Sequence, residues 1–490
     1  MRAGAPRGHA PVVRWSPAQL ARDAQGRLVR DGGRTVEAAF IDTRQPVAGG
    51  VFVPIVAARD GHAFLPAAVA AGASAVLVAR GRPAPEGPVT VVEVDETLAA
   101  FHRLAASARS RIAGPVVAIT GSNGKTTTRA FVEAVLRTIH EPVLATRGNL
   151  NNHLGVPLCL CGPPHAPAAA VLELGMSAPG ENATLAEIVR PNVAVVTSIA
   201  LEHVEFLGSI EAIAAAEAEP FALLESDGVA IVPSDESLLV PHLPTGRRVL
   251  RVGPCADADV RIVEASVGRR TTATCRLPDG TDVRLSLGVL GLHNARNAAA
   301  ALAVGHALGA RPDAMAEALA AVEPVGDRGR RIEVGRHVVI ADCYNANPGS
   351  VRAALESLAA LARAEGRTAV AVLGDMLELG PEAPNLHADV GSYAAELGLA
   401  GVVTVGASSR HVAEAFAAGG GEVLAAVEPD ERGIARAAEA VRAMMGGAEP
   451  LAVLVKASRG LRLERVVSGL VAPETAENPA ICVDSRPAGA

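Results

Sequence analysis

The chain is 490 residues long, 49% hydrophobic but only 2% aromatic, with a formal net charge of −7. That length exceeds what one hydrophobic core sustains and predicts about three domains; the composition suits Val-rich buried sheets under Ala/Leu helices and excludes disorder. The acidic balance excludes the basic face that nonspecific nucleic-acid binding requires, although helix dipoles and a few cations still suffice to hold a small anion.

To about residue 112, the segments TVEAAFIDTRQPVAGGVFVPI and FLPAAVAAGASAVLVA predict short strands and a helix of a small α/β domain, with GRPAPEGP at 81–88 as a surface loop. From Gly114 the pattern becomes strand, loop, helix: PVVAIT, GSNGKTTT, RAFVEAVLRTI. Apolar runs AAAVLEL (168–174), NVAVVTSI (192–199) and VAIVP (229–233) follow, separated by helical patterns, and predict a parallel sheet with crossover helices. Alternation from Val260 to Leu287 around the turn LPDG predicts a hairpin excursion, after which HNARNAAAALAVGHALG reads as an Ala-rich helix. Beyond residue 326, strand HVVIADCY, helix SVRAALESLAALARAEG, strands TAVAVLGDM and GVVTV, helix RHVAEAFAAG and strand LAVLVKAS predict a second doubly wound unit. The tail after Val471 is polar and is expected to fray.

The expected organisation is therefore α/β in three domains: 1–112 small α/β, 113–325 a central P-loop parallel-sheet ATPase domain, and 326–490 Rossmann-like. The opening MRAGAPRGHAPVVRW lacks the apolar stretch of a signal peptide, and no uninterrupted run of about 18 apolar residues predicts a membrane span. The six cysteines are scattered without a C-x-x-C pair, which argues against a disulfide framework or zinc site and fits a cytoplasmic location.

Gly121-Ser122-Asn123-Gly124-Lys125-Thr126 lies between a buried strand and a helix start. That context supplies free backbone N–H groups, glycines that allow close approach, and a cation over phosphates, while Thr126 can place its hydroxyl on Mg²⁺. The generic loop has a further glycine where this chain has Ile119, so the loop is a tighter variant. Of 45 basic residues only two, Lys125 and Lys456, are lysine, which marks Lys125 as a chosen point charge. Glu173 follows the buried run VLEL, where an ionised carboxylate needs an ion partner or a metal.

The variant T-G-S-N-G-K-T-T resembles the loop of the Mur ligases and folylpolyglutamate synthetases. N-L-N-N-H-L-G-V-P-L (149–158), L-E-L-G-M (172–176) and G-L-H-N-A-R-N-A-A-A (291–300) are similar to shared Mur ligase segments. D-C-Y-N-A-N-P (342–348), L-G-D-M-L-E-L-G (373–380) and V-K-A-S-R-G-L-R-L-E-R (455–465) resemble the branch of that family that adds D-alanyl-D-alanine. The resemblance runs from about Asp42 to Val467. It implies an ATP- and Mg²⁺-dependent, ADP-forming ligase acting on UDP-N-acetylmuramoyl-tripeptide and D-Ala-D-Ala through an acyl phosphate. A cytoplasmic monomer with no nucleic-acid or membrane partner is expected, its C-terminal domain closing on both substrates.

The same resemblance implies roles for individual residues. Gly121, Ser122, Asn123, Gly124, Lys125, Thr126 and Thr127 would cradle the triphosphate; Asn294 and Asn297 would lie near adenine; Arg330 (or the adjacent Arg331) and Asp342 would reach the phosphates and ribose. Thr126, Glu173 and His203 would hold Mg²⁺. Asp42, Thr43, Arg44 and Asp60, the last within Asp60-Gly61-His62, would form the UDP-sugar pocket; Asn151 and Asn152 would contact substrate. Asn345, Asn347, Lys456 and Arg459 would line the dipeptide side.

One departure stands out. Many family members carry, in the helix after the histidine motif, a lysine whose carbamylated amine helps position Mg²⁺. Here the aligned position is Glu217, and no lysine occurs between 126 and 455. The expectation is that Glu217 supplies a carboxylate to the metal directly, across a gap filled by water or a helix shift, with Pro220 marking the altered helix path. Two alternatives compete with the whole reading: another Mur or folylpolyglutamate-type ligase, and a non-catalytic nucleotide-binding paralogue.

Overall fold

The computed structural model describes residues 14–162, 167–202 and 204–471. Its chain forms two compact units, the first built from the residues up to Ser266 with Thr271–Gly288 and His293–Glu323, the second from Val267–Arg270, Val289–Leu292 and the chain from Pro324.

The first unit holds two sheets. The smaller has five strands in the order Arg27–Arg30, Thr90–Val94, Ala75–Ala79, Val51–Phe52, Ala39–Phe40, parallel except at its antiparallel edge strand. AVLVA at 75–79 is buried almost end to end because helices and sheet cover both faces, as an apolar run without alternation requires. Helix Thr97–Ser110 starts where the Glu96 carboxylate accepts the Leu98 and Ala99 N–H groups, and it buries Phe101, Leu104, Ala105 and Ala108. One continuous apolar cluster runs from Trp15 through Leu104 to Leu172 and Val189, so the small sheet and the central sheet share a core.

The central sheet has nine strands: Asp282–Leu287, Thr271–Arg276, Val260–Val267, Arg248–Gly253, Val229–Pro233, Val193–Val196, Val116–Thr120, Ala169–Glu173 and Val143–Ala145. Its middle is parallel, and the hairpin expected around LPDG is present as the antiparallel pair at one edge. Strand Val116–Thr120, buried at every position, sits between Val193–Val196 and Ala169–Glu173. The three strands end together, and their carboxyl ends bring residues 121, 173 and 197 side by side.

The second unit is a six-stranded sheet ordered Arg330–Val334, His337–Asp342, Leu451–Lys456, Thr368–Gly374, Gly401–Val405, Glu422–Val427. All pairs are parallel except the first, a hairpin through Gly335. Asp342 and Lys456 are register partners at the carboxyl ends of adjacent strands, where ligands of doubly wound sheets bind. The three-sheet α/β architecture is the one expected. Strand Glu422–Val427 and helix Glu431–Met445 escaped the sequence reading: the strand is half-exposed and the helix polar on its outer face. The tail beyond 471 lies outside the described residues.

Candidate active site

The loop 121–124 is fixed by the neighbouring strand end as much as by its own residues. Gly121 has φ +117°, and a Cβ there would stand 2.2 Å from Thr197 Oγ1 and 2.7 Å from Thr197 N, so only glycine fits. Thr197 Oγ1 donates to the Asn123 carbonyl at 2.6 Å, the Asn123 N–H donates to Ser198 Oγ at 3.0 Å, and the Ser122 N–H donates to the Ser198 carbonyl at 2.8 Å. Gly124, at φ +86°, starts helix Lys125–Leu136, whose first turn buries Thr126 and Thr127. Lys125 folds back so that Nζ donates to the Gly121 carbonyl and lies 3.9 Å from Glu202 Oε1. A lysine, two glycines and a helix N-terminus converge where a polyphosphate would enter.

Beneath the loop lies a buried carboxylate. Glu217 is 1% exposed. Its Oε2 accepts the Gly121 N–H at 2.9 Å and an Asn182 Nδ2–H at 3.1 Å, while its carbonyl accepts the Thr120 hydroxyl at 2.7 Å. Helix Ile210–Ala218 gives way to a tighter turn over Glu219–Leu223 with Pro220 near its start, which sets Glu217 in the last turn of the α-helix. Two residues on, Glu219 accepts the Gly180 and Ala183 N–H groups and so fastens the helix that carries Asn182. Glu217 is thus not a solvated helix residue; one of its carboxylate oxygens holds the first glycine of the loop.

Glu202 shares this pocket. Burial pushes its carboxyl up to about 7; Lys125 and a Ser122 hydrogen bond pull it down, and Glu217, both as a like charge and as a hydrogen-bond partner, pushes it up. Sequence reading passed over Glu202, Asn182, Thr197 and Arg129, none of which stands in a phosphate-loop motif. The signal for Glu202 was its place beside His203, which itself lies outside the described residues.

Glu173 is buried at the end of the next strand, and its two oxygens face two donors: Thr126 Oγ1 at 3.1 Å and Arg129 Nε at 3.3 Å. Arg129 is in turn paired with Glu133 at 2.6 Å. Of the two partners expected for a buried carboxylate, Glu173 has the ion pair, with the helix-start Thr126 hydroxyl on its other oxygen. Asn294 and Asn297 are buried on one face of helix Leu292–Ala307 with Asn297 Nδ2 donating to Asn294 Oδ1 at 2.9 Å; a Cβ at Gly124 would lie 2.6 Å from Asn297 Oδ1. The pair abuts the phosphate loop. Asn151 packs on Gly175, just past Glu173, and Asn152 Oδ1 accepts the Leu154 and Gly155 N–H groups as a helix-start cap.

The first-domain candidates form local turns. Asp42 and Arg44 pair bidentately with each other at 2.8–3.1 Å, with Thr43 between them, and the Arg44 hydrogen bond holds the Asp42 carboxyl below its usual range. Asp60 accepts from the His62 backbone at 3.0 Å and from its ring at 2.7 Å and pairs with Arg82; His62 Nε2 accepts the Ala79 N–H, which places the ring proton on Nδ1.

In the second unit Lys456 is 3% exposed and donates to Asp342 Oδ2 at 2.8 Å and to the Asn345 carbonyl at 2.9 Å. Asn347 caps helix Pro348–Glu365 through a reciprocal capping box with Ser350. Arg330 pairs with Asp327 at 2.7 Å, whereas Arg331 is held by Glu365 at 2.6 Å and by Glu333. Arg459 lies over the Tyr344 ring, 5.8 Å from its centroid.

A glycine–lysine loop delivered by a buried parallel strand to a helix N-terminus, followed in the chain by a Rossmann-like unit, defines a phosphate-loop nucleotide-binding protein. Residues 119–305 match the Mur ligase middle domain and residues 327–459 the Mur ligase, glutamate ligase domain. The UDP-N-acetylmuramoyl-tripeptide–D-alanyl-D-alanine ligase of Bacillus subtilis is 35% identical over 88% of this chain and 92% of its own, and the Escherichia coli enzyme of the same name is 34% identical over 89% and 94%. Among solved structures, MurF from Acinetobacter baumannii superposes with a TM-score of 0.85 at 29% identity, covering 94% of this chain and all (100%) of its own. The Thermotoga maritima MurF–ADP complex gives 0.78 at 26% identity over 88% and 96%. The chain belongs to the Mur ligase family.

Proposed function

We propose that this chain is an ATP-dependent, ADP-forming ligase that joins D-alanyl-D-alanine to UDP-N-acetylmuramoyl-tripeptide in peptidoglycan precursor synthesis. The observation that carries the reading is the loop: Lys125 opens a helix directly after the positive-φ glycines 121 and 124, beside a buried carboxylate at the next strand end. Near-full-length relatives named for this reaction support it.

A carboxylate resists amine attack because it would have to expel oxide. Transfer of the γ-phosphoryl group to a carboxylate oxygen releases ADP and leaves an acyl phosphate. The dipeptide amine, once deprotonated, attacks the acyl carbon, phosphate leaves, and an amide remains. Positioning and charge neutralisation dominate such transfers. Backbone N–H groups of 124–126, at the helix start, orient the phosphates, while those of 121–123 hold the loop to its neighbours; Lys125 exchanges its Gly121 carbonyl and Glu202 for phosphate oxygens. Asn294 and Asn297 support the loop from the adenine side. In this reading Arg330, Asp342, Asn345, Lys456 and Arg459 serve the second unit's ligands and Asp42, Arg44, Asp60, Asn151 and Asn152 the UDP-sugar peptide; Asn347 acts by capping the helix after the asparagine segment.

Mg²⁺ fits the residues present. Thr126 Oγ1 and Glu173 Oε2 are 3.1 Å apart, the spacing of adjacent oxygens around an octahedral cation, and a site with few protein oxygens suits an ion that keeps water and phosphate ligands. Thr126 and Glu173 would hold it, with His203 as the residue the family likeness adds, and it would neutralise developing phosphate charge. We assign Glu217 to holding the loop, because its Oε2 accepts from both Gly121 and Asn182. We place the reaction in the cytoplasm, carried out by a monomer; among the described residues no helix is long and apolar enough to cross a membrane.

The test is a ligation assay with ATP, D-Ala-D-Ala and UDP-tripeptides bearing either diaminopimelate or lysine as third residue. ADP release should require both substrates and fall about 10²–10³-fold in Lys125→Ala. Nucleotide binding without dipeptide-dependent ADP release would instead identify a non-catalytic paralogue; use of other amine acceptors would identify a sister ligase.

A further inference from the structure

In the second unit, the aromatic ring of Tyr344 carries the guanidinium of Arg328 flat on its face, Cζ 3.6 Å from the ring centroid, with Arg459 at 5.8 Å. Tyr344 and Asn345 follow strand His337–Asp342, and Arg459 follows strand Leu451–Lys456, so the group sits at the carboxyl ends of two adjacent strands. That is the rim at which doubly wound sheets take ligands.

Around this stack Arg328 differs from the other cations in having no carboxylate partner among the described residues. Lys456 is paired with Asp342 and Arg330 with Asp327, while the exposed Arg459 and Arg462 share Glu464 at 3.6 and 3.9 Å. Arg328 is half-buried, its one hydrogen bond goes to the Val325 carbonyl at 3.3 Å, and among the described residues it has no carboxylate within ion-pair distance. A guanidinium stacked on a ring keeps its N–H edges in a plane parallel to the ring, pointing sideways to whatever lies beside it, in the fork geometry that grips a planar carboxylate with two bonds.

Resting on the function proposed above, we infer that Arg328, held on Tyr344, binds the terminal carboxylate of the incoming dipeptide and so selects a free-acid acceptor. The tyrosine ring sets the guanidinium's plane and offers an apolar flank to the alanyl methyl group.

The full-length enzyme is assayed with D-Ala-D-Ala and with D-Ala-D-alaninamide, which lacks the anion. The native enzyme should prefer the acid by roughly 10- to 100-fold in kcat/KM, the scale of one charge-assisted bidentate contact. Arg328→Ala should raise the dipeptide KM by that factor, leave the ATP and UDP-tripeptide KM values unchanged, and use acid and amide equally well. Tyr344→Phe, which keeps the stack, should retain native discrimination, and Tyr344→Leu should lose part of it. The inference is overturned if Arg328→Ala still prefers the acid by the native factor, or if its KM defect falls on ATP, which would make the anion a phosphate. Absence of any ligation by the native enzyme would instead sink the wider reading. A thermal melt of each variant separates misfolding from lost recognition, and the acid-to-amide ratio is independent of the amount of active enzyme.

Discussion

Glu217 stands where the sequence resemblance leads one to expect a lysine, and replacing it with glutamine or alanine tests what it does. The carboxylate accepts two hydrogen bonds, from Gly121 N–H at 2.9 Å and Asn182 Nδ2 at 3.1 Å, at a site 1% exposed. Glutamine keeps one oxygen but loses the charge, so each bond weakens by about 1 kcal/mol and the variant should be about 1–2 kcal/mol less stable. Alanine leaves both donors buried without an acceptor, which costs about 1–3 kcal/mol each and about 2–6 kcal/mol in all. Relief of repulsion against Glu202 offsets part of that loss. Because the lost contact fixes the first glycine of the phosphate loop, the same energy should reappear in ATP affinity: about 5- to 30-fold weaker binding in Glu217→Gln. Denaturant unfolding followed in parallel with ATP titration at fixed Mg²⁺ makes the measurement. Native stability and native ATP affinity in Glu217→Gln would refute the anchoring role. A defect that vanishes at high Mg²⁺ would instead restore the metal-ligand role expected from the alignment, and a strong bicarbonate requirement in the native enzyme would rule out both.

Gly121→Ala should abolish ATP binding, since the new Cβ meets Thr197 backbone nitrogen at 2.7 Å as well as its hydroxyl, and Thr197→Ala in the same chain should not rescue it. Glu202, raised to about 7 from 4.5, keeps a proton in the folded state that the unfolded chain has released, so stability should fall as pH rises from about 4.5 to about 7, and Glu217→Gln should flatten that slope. Lys456→Met leaves Asp342 facing a mostly buried vacancy and should cost about 2–4 kcal/mol, with Asp342→Asn in the same chain recovering a large part in a double-mutant cycle by denaturant melts.

What could be read in advance follows how far each signal reaches along the chain. The phosphate loop is local: strand, glycines, lysine and helix start are contiguous, and the sheet order around it follows from unbroken apolar runs. The residues that hold the loop are not local. Thr197, Asn182, Glu202 and Glu217 come from separate segments and meet only because three parallel strands end side by side. A motif can name Gly121 but not the carboxylate beneath its N–H. The converse also occurs: Asp42–Arg44 and Asp60–His62 have the spacing of local turns, and their side chains close on one another in this structure. Likewise Arg331, a neighbour of Arg330 in sequence, faces Glu365 because successive strand residues point to opposite faces. Arg328 carried no motif signal at all; only its stacking on Tyr344 and, among the described residues, the lack of a carboxylate within ion-pair distance set it apart.

The scarcity of lysine was the most informative compositional signal, and the structure supplies a reason for it. A chain with two lysines among 45 basic residues has put one at the ligand rim of the nine-stranded sheet and the other at that of the six-stranded sheet. Lys125 is one-fifth exposed and Lys456 almost fully buried, each directed at a carbonyl and a carboxylate from a confined approach. Arginine could supply the charge at either place, but its planar fork carries five donors, and a buried guanidinium here would leave several of them unmet. An ammonium has three donors, which a carbonyl and a carboxylate go far to satisfy, and at Lys125 these are partners it can exchange for phosphate oxygens. Arginine fills the surface, where water satisfies every donor, and those buried or half-buried places, such as Arg109 and Arg331, where several protein acceptors converge on the fork. Lysine persists where the number of donors, and not only the sign of the charge, decides whether the side chain can be buried.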